Sequence, residues 1–380
     1  MSDGYTRVIL KSVYHAIPDG AKPLARQWYG YVDLRGRAVA SRRTVCSGHR
    51  VEFLDFEIAY LEPYEFLSPG PDEVLVDARA TLVSPGTERA VLCGLPGVPR
   101  GMFPFPPGYS AVGTVTQVGR RLPQFRNGQR VAGRLPHAST GIMTAISLFA
   151  VPDGVADDEA SFIELGIITL QGIRRAGITP GHAVAVVGQG LIGQLSNRLA
   201  RVCGAARVIG VASSRNRADH AVQNGSVDQF VALNEKPVLR DLQADVVIEA
   251  VGTPGAVMTA VECARDGGTV VLLGSARGLG RDIDLFNAAQ RRGVRMIGAH
   301  ISVLPDKDVS PGRYTYEQEG QLFLELLRAK RLTVADLITW RVSPADCNAV
   351  YEVLARGGER HVGIMFDWAG WRAGAAAATA

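Results

Sequence analysis

The stretch "AVAVVGQGLIGQLSNRLARVCGA", from Ala183 to Ala205, leaves a chain few ways to fold. A run of small and β-branched apolar residues ends in Gly188, Gly190 and Gly193, and a segment of helical period follows. An apolar run without polar alternation reads as a strand buried on both faces, the strand type of parallel sheets covered by helices. Gly188 makes the turn out of that strand, Gly190 lets the backbone approach a pyrophosphate at the helix N-terminus, and Gly193 lets helix and strand pack closely. Leu191 and Ile192 place their amides in the first helical turn. The glycine spacing alone is a weak signal, but the strand before it and the helix after it are the context the mechanism requires.

A dinucleotide is therefore the expected ligand of this turn. A ribose with free hydroxyls is held by an acid about 20 residues past the last glycine. Here the second strand, "ARVIGVA", runs into Ser213, Ser214, Arg215 and Arg217, and no carboxylate stands there. Hydroxyls and guanidiniums suit a 2′-phosphate, which arginine grips through two parallel hydrogen bonds. NADP(H) is the expected form.

The rest of the chain divides around this unit. Residues 1–48 interleave basic and aromatic side chains ("LARQWYGYVDLRGRAVASRR") and read as a surface extension packing on its own domain, with a substrate lid or a partner contact as the other readings. From Arg50 the texture becomes alternating and β-branched ("VEFLDFEIAYL", "EVLVDARATLV", "AVGTVTQVG"), cut by Gly and Pro turns, which predicts a curled antiparallel β domain. Asp157 to Ala176 reads as one helix, with acids in its first turn and arginines near its end, each complementing the helix dipole. Five apolar runs follow, "HAVAVVG", "ARVIGVA", "DVVIEAVG", "GTVVLLG" and "VRMIGAH", separated by helix-length segments. The closing segment offers two helices and a final strand, and the tail "GWRAGAAAATA" is expected to fray.

Composition excludes several alternatives. At 380 residues the chain exceeds what one hydrophobic core supports, so two domains are expected. Its net charge of +4 comes from scattered Lys and Arg mixed with acids, without the basic stripe of a nucleic-acid binder. The five cysteines are far apart and form no CxxC, against both a disulfide framework and a cysteine-rich zinc lobe. No secretion signal or membrane-spanning run is read, and the cytoplasm is the default location.

Particular stretches carry a resemblance: "GPDEVLVDARATLVSPGTE", "FPPGYSAVGTVTQVG", "NGQRVAG", "FIELGIITLQGIRRAGITPGHAVAVVGQGLIG" and "GGERHVGIMF". In this order, over about Arg50 to Trp368, they resemble the medium-chain dehydrogenase/reductase family. "IE" followed by "GIRRAG" is most similar to the sorbitol and threonine dehydrogenase branch, and "SPGTE" to the bacteriochlorophyllide dehydrogenase type. The resemblance implies an α/β fold: a doubly wound Rossmann domain at 154–302 and a GroES-like catalytic β domain from 1–153 and 303–380. It also implies a homodimer paired through the last strands of the nucleotide domain.

In zinc members the turn before "AVG" carries a His-Glu pair and an earlier Cys supplies another ligand. This chain has Tyr109 and Ser110 at the pair and Ser84 or Pro85 near the Cys, leaving Glu164 alone of the usual set. A zinc-free site is expected, with hydrogen bonding in place of the metal. Tyr109 is the first candidate donor to a substrate oxygen, because a phenol donates while neutral. By resemblance Thr87 falls at a proton-relay hydroxyl and Glu88 near a structural acid, and His137 is placed to relay protons. The nicotinamide is expected near Thr169, Gly252, Gly274, Ala299 and His300. The aromatic and proline-rich "LPGVPRGMFPFPPGY" reads as an apolar pocket wall for a ring-containing substrate. Ketone–alcohol interconversion is the expected reaction. An enoyl reductase, a non-catalytic nucleotide-binding protein and a zinc enzyme using Glu164 with His137 are the alternatives.

Overall fold

The computed structural model describes residues 34–99, 102–213, 215, 217–280, 284–305, 314–357 and 360–379. Most of the N-terminal extension, residues 1–33, lies outside that set. Its described end is a helix over 34–41, and Arg43 just beyond it pairs with Glu73 at 2.9 Å, so this end lies against the β domain.

A hairpin, β1 (Val45–Asp55) and β2 (Ile58–Leu67), leads into β3 (Glu73–Leu82), β4 (Ala111–Val118), β5 (Arg130–Gly133), β6 (Thr140–Thr144) and β7 (Leu148–Ala150). The β3–β4 pairing slips twice, between Leu75 and Val76 and between Ala78 and Ala80. Such bulges increase twist, and they curl this sheet around a core that includes Val76, Val115, Val131 and Met143. Phe103 and Phe105, expected as a pocket wall, instead pack against the hairpin: Phe103 meets Phe56 edge-on at 4.9 Å and Phe105 meets Phe53 at 6.2 Å. They close the core because the ribbon β1–β2 is too thin to bury its own apolar face.

The parallel sheet comprises β8 (Ala183–Val187), β9 (Arg207–Ala212), β10 (Gln229–Ala232), β11 (Ala244–Glu249), β12 (Ala264–Leu272) and β13 (Arg295–Gly298). Its order is β10-β9-β8-β11-β12-β13, so the chain reverses direction across the sheet at β8, where ligands of doubly wound folds bind. Five of these strands are the apolar runs read from the sequence. The sixth, β10, is four residues long and half-buried at the edge, which left it without a periodic signal. The helices Leu191–Val202, Ala218–Gln223 and Pro254–Cys263 connect the strands.

Three further differences have physical causes. The helix expected over Asp157–Ala176 is broken, running Asp157–Ala160 and then Ile163–Ala176, because the Ser161 carbonyl is taken by the Ser110 hydroxyl at 2.6 Å. The helix Tyr316–Arg328 lies across the expected domain boundary: a side chain at Gly166 would strike Phe323, and one at Gly320 would strike Phe149. The chain then returns to the β domain through β14 (Ile338–Val342), the helix Cys347–Arg356 and β15 (Gly363–Asp367), which joins β3. The tail is helical over Trp368–Thr379, held by a buried Trp368 that donates to Thr81 Oγ1 at 3.0 Å and by Arg372 donating to the Ser139 carbonyl at 2.7 Å. No described helix is long and apolar enough to cross a membrane.

Candidate active site

Gly108 opens the turn that precedes β4 at φ +89°, and a Cβ there would lie 2.7 Å from the His137 ring. Both the backbone angle and the close approach require glycine. Ser110 is fully buried and ties the turn to the helix Ile163–Ala176, donating to the Ser161 carbonyl and accepting from the Glu164 amide at 3.2 Å. Tyr109, half-buried, donates its hydroxyl to Ser84 Oγ at 2.6 Å. Burial pushes the phenol up to about 12; hydrogen bonds with Ser84 and Thr87 oppose the shift, and the Glu88 and Glu164 carboxylates add to it. Tyr109 is thus a neutral donor at physiological pH, with the exposed Thr87 hydroxyl within its reach.

Behind this turn lies a closed polar cluster. Glu88, on the helix Pro85–Leu92, accepts the Ser84 amide and the Tyr351 hydroxyl, each at 2.7 Å, and meets His137 Nε2 at 3.2 Å. His137 Nδ1 meets Thr81 Oγ1 at 2.7 Å, so both ring nitrogens are engaged and no part of the residue is exposed. The expected relay role of His137 is therefore corrected. A ring sealed under the turn, with both nitrogens spent, holds Glu88 and Thr81 in place and does not reach a substrate.

Glu164 heads the next cluster. It is 1% exposed, accepts Arg134 Nε at 2.9 Å and also accepts the Tyr316 hydroxyl. Burial raises its carboxyl from an ordinary 4.5 to about 7, against the pull of the Arg134 charge. Sequence reasoning missed Arg134 and Tyr316, since neither sits in a motif and nothing local signals that they meet. The family implies a zinc ion here, and these residues do not fit one. Ser84, Tyr109 and Ser110 offer neutral hydroxyls, Glu164 is committed to a guanidinium and a phenol, and no three His, Cys, Asp or Glu converge among the described residues.

The nucleotide turn has the expected form. Gly188 sits at φ +97°, Gly190 caps the helix Leu191–Val202, and a Cβ at Gly193 would collide with the Gly188 carbonyl. Leu191 is buried and Ile192 half-buried in the first turn. Arg217 is brought over this turn, its Nη1 lying 3.3 Å from where a Gly190 Cβ would be. Ser213 and Arg215 are exposed at the end of β9, where Arg215 lies 4.0 Å from Glu235, and Ser214 lies outside the described residues.

At the ends of the next strands stands Glu249, fully buried, accepting the amides of Val251 at 2.7 Å and Gly252 at 2.8 Å. Its Oε2 has no partner among the described residues, and burial raises its carboxyl above the usual range. An acid closing an otherwise apolar strand, "DVVIE", was the available signal for it. Gly252, at φ +82°, and Gly274 pack so closely that a Cβ on Gly274 would lie 2.5 Å from the Gly252 nitrogen. The positive-φ glycines, the helix N-terminus and this unsatisfied buried oxygen fit a dinucleotide.

The helix Ile163–Ala176 joins the two halves, with Glu164 against the β-domain turn and Gln171 donating to the Ala299 carbonyl at the end of β13. Thr169 lies between them, but its hydroxyl is buried and spent on the Leu165 carbonyl at 2.7 Å, so its part is to shape the wall. His300, directly after β13, is exposed, and its Nδ1 accepts the Ser302 amide at 3.2 Å and caps a short helical turn.

Comparison with known proteins agrees with this geometry. The model of the zinc-binding dehydrogenase family matches residues 192–310. D-guloside 3-dehydrogenase of Escherichia coli (strain K12) is 28% identical over 240 residues, 61% of this chain and 68% of that protein. Sorbitol dehydrogenase of Bos taurus is 25% identical over 336 residues, 78% of this chain and 90% of that protein. Among solved structures, a zinc-binding dehydrogenase from Sinorhizobium meliloti 1021 bound to NADP superposes with a TM-score of 0.72 at 22% identity, covering 85% of this chain and 99% of that one. Galactitol-1-phosphate dehydrogenase from Escherichia coli gives 0.71 at 19% identity, covering 84% and 99%. A glycine turn at the switch point of one sheet and a tyrosine turn at the mouth of the other thus stand in a chain that matches the zinc-binding dehydrogenase family model over residues 192–310, is similar in sequence to D-guloside and sorbitol dehydrogenases, and shares the fold of the solved dehydrogenases.

Proposed function

We propose that this protein is an NADP(H)-dependent dehydrogenase that interconverts a secondary alcohol and a ketone on a small hydroxylated metabolite, and that it does so without zinc. The observation that carries the reading is the hydroxyl cluster at the turn: Tyr109 bonded to Ser84 at 2.6 Å where zinc relatives keep metal ligands. A nicotinamide held on the Gly188–Gly193 turn supplies or accepts the hydride. Tyr109 Oη, neutral because burial holds its pKa near 12, turns its one O–H from Ser84 Oγ to the substrate oxygen as negative charge develops there, and Ser84 Oγ–H then donates to the phenol oxygen. Thr87, exposed beside it, passes the proton to solvent. Glu88 and His137 fix the Ser84 end of this arrangement from behind.

The names of the sequence relatives, a sorbitol and a D-guloside dehydrogenase, support alcohol chemistry on a carbohydrate-like carbon. Arg217 above the glycine turn, with no acid between the end of β9 and the helix Ala218–Gln223, supports the phosphorylated cofactor. The enzyme is taken to act in the cytoplasm as a homodimer.

The test is a titration of purified protein with NADPH and NADH, metal analysis of the same sample, and turnover with polyols and their ketones. Tight NADPH binding, no stoichiometric zinc and a kcat lowered about 10²- to 10⁴-fold by Tyr109→Phe at unchanged cofactor affinity are expected. One zinc per active chain, or full activity in Tyr109→Phe, would overturn it.

A further inference from the structure

Arg134 follows β5 directly, and the register that pairs Ala111 with Gly133 places it across the ladder from Ser110, beside the Tyr109 turn. Its side chain is 48% exposed although its ion-pair partner, Glu164, is 1% exposed. The guanidinium is fixed at one end only. Nε donates to Glu164 Oε2 at 2.9 Å, and the guanidinium carbon lies 4.8 Å from the centre of the Tyr316 ring, which stands 5.8 Å from Phe149.

An arginine has five N–H donors, and this one spends a single donor on Glu164. Nη1 and Nη2 have no hydrogen-bond partner among the described residues. A surface arginine in that state swings freely and loses rotamer entropy on binding. Here the buried carboxylate and the ring face hold the fork in one orientation, so less freedom remains to be lost. Glu164 also acts on Tyr109 through its charge, which places the proton donor and the guanidinium around one carboxyl. A fixed planar fork with its outer edge open is the geometry that recognises a carboxylate or a phosphate.

We propose that Arg134 binds an anionic group of the substrate, so that the enzyme acts on a hydroxylated acid or phosphate ester in preference to a neutral polyol. The proposal rests on the alcohol dehydrogenase reading for the reaction itself, and it adds the chemical class of the molecule that reacts. Arg134 is then a substrate-contacting residue, and Glu164 and Tyr316 position it.

Calorimetry on the purified full chain, nucleotide-free and NADP-loaded, at fixed ionic strength, tests this with D-sorbitol, D-gluconate and D-sorbitol 6-phosphate as probes. The anion that fits is expected to bind at least about tenfold more tightly than sorbitol, and the two charged probes tell carboxylate from phosphate. Arg134→Gln should remove the preference, and Arg134→Lys, which keeps the charge and loses the fork, should retain part of it. Because Arg134→Gln leaves a buried carboxyl unpaired, the double variant Arg134→Gln/Glu164→Gln repeats the measurement without that liability. Wild-type protein that binds neither anion more tightly than sorbitol, or an Arg134→Gln variant that weakens all three probes equally, overturns the proposal. Loss of NADP binding alone would instead overturn the cofactor reading, since the nucleotide-free titrations stay interpretable.

Discussion

Glu164 shows how a single buried residue couples fold to pH. Its carboxyl is held near 7 in the native chain against an ordinary 4.5, so the native state binds this proton more tightly than the unfolded state does. That contribution is fully present below about 4.5 and is lost as pH rises through about 7, so stability falls across this window. Its size is on the order of 3 kcal/mol, and Glu164→Gln, which cannot ionise, should lack it. Urea midpoints at several pH values from about 4 to 8 would check this; parallel curves for wild type and variant would refute it. Sequence reasoning singled out Tyr109 and Glu164 because each departs from or retains a recognisable motif position. Arg134 and Tyr316 were not legible, since Tyr316 lies 152 positions along the chain from Glu164 and only the folded chain brings the phenol to the carboxyl.

At the level of elements, the strand–turn–helix around Gly188 was readable because strand period, glycine chemistry and helix period agree over a continuous stretch. The strand β10 and the helix Trp368–Thr379 were not, because each is stabilised by neighbours and not by its own pattern. The tail from Gly370 reads as frayed, yet it continues a helix that starts at the fully buried Trp368, and its Arg372 donates to the Ser139 carbonyl at 2.7 Å. Trp368→Ala should cost about 3–5 kcal/mol, visible in chemical denaturation, and a loss below about 1 kcal/mol would show that the tail is dispensable. The loop after β9 makes a different prediction. Arg217 lies over Gly190, so Arg217→Gln should weaken NADPH at least about tenfold while leaving NADH within about twofold. Equal loss for both cofactors would mean that Arg217 shapes the turn and does not read the 2′-phosphate.

In the molecule as a whole, β13 is an edge of the parallel sheet that pairs with no further strand among the described residues. Unpaired edge groups invite another strand. Apolar side chains stay exposed around it, Leu279, Leu285, Phe286, Met296 and Val303, which is more than scattered surface residues account for. A second copy related by a two-fold axis would cover the same patch on both chains and continue the sheet through β13, which fits a closed C2 dimer. Sedimentation should therefore give twice the 40.6 kDa chain mass. Met296→Asp, which puts a charge on this exposed position of the edge strand, should shift the protein to monomer while leaving its far-UV spectrum unchanged. A wild-type monomer at all concentrations, or a dimer that survives both Met296→Asp and Phe286→Asp, would place the contact elsewhere. The apolar patch would then need another cover, because a sheet edge of this composition is costly to leave in water.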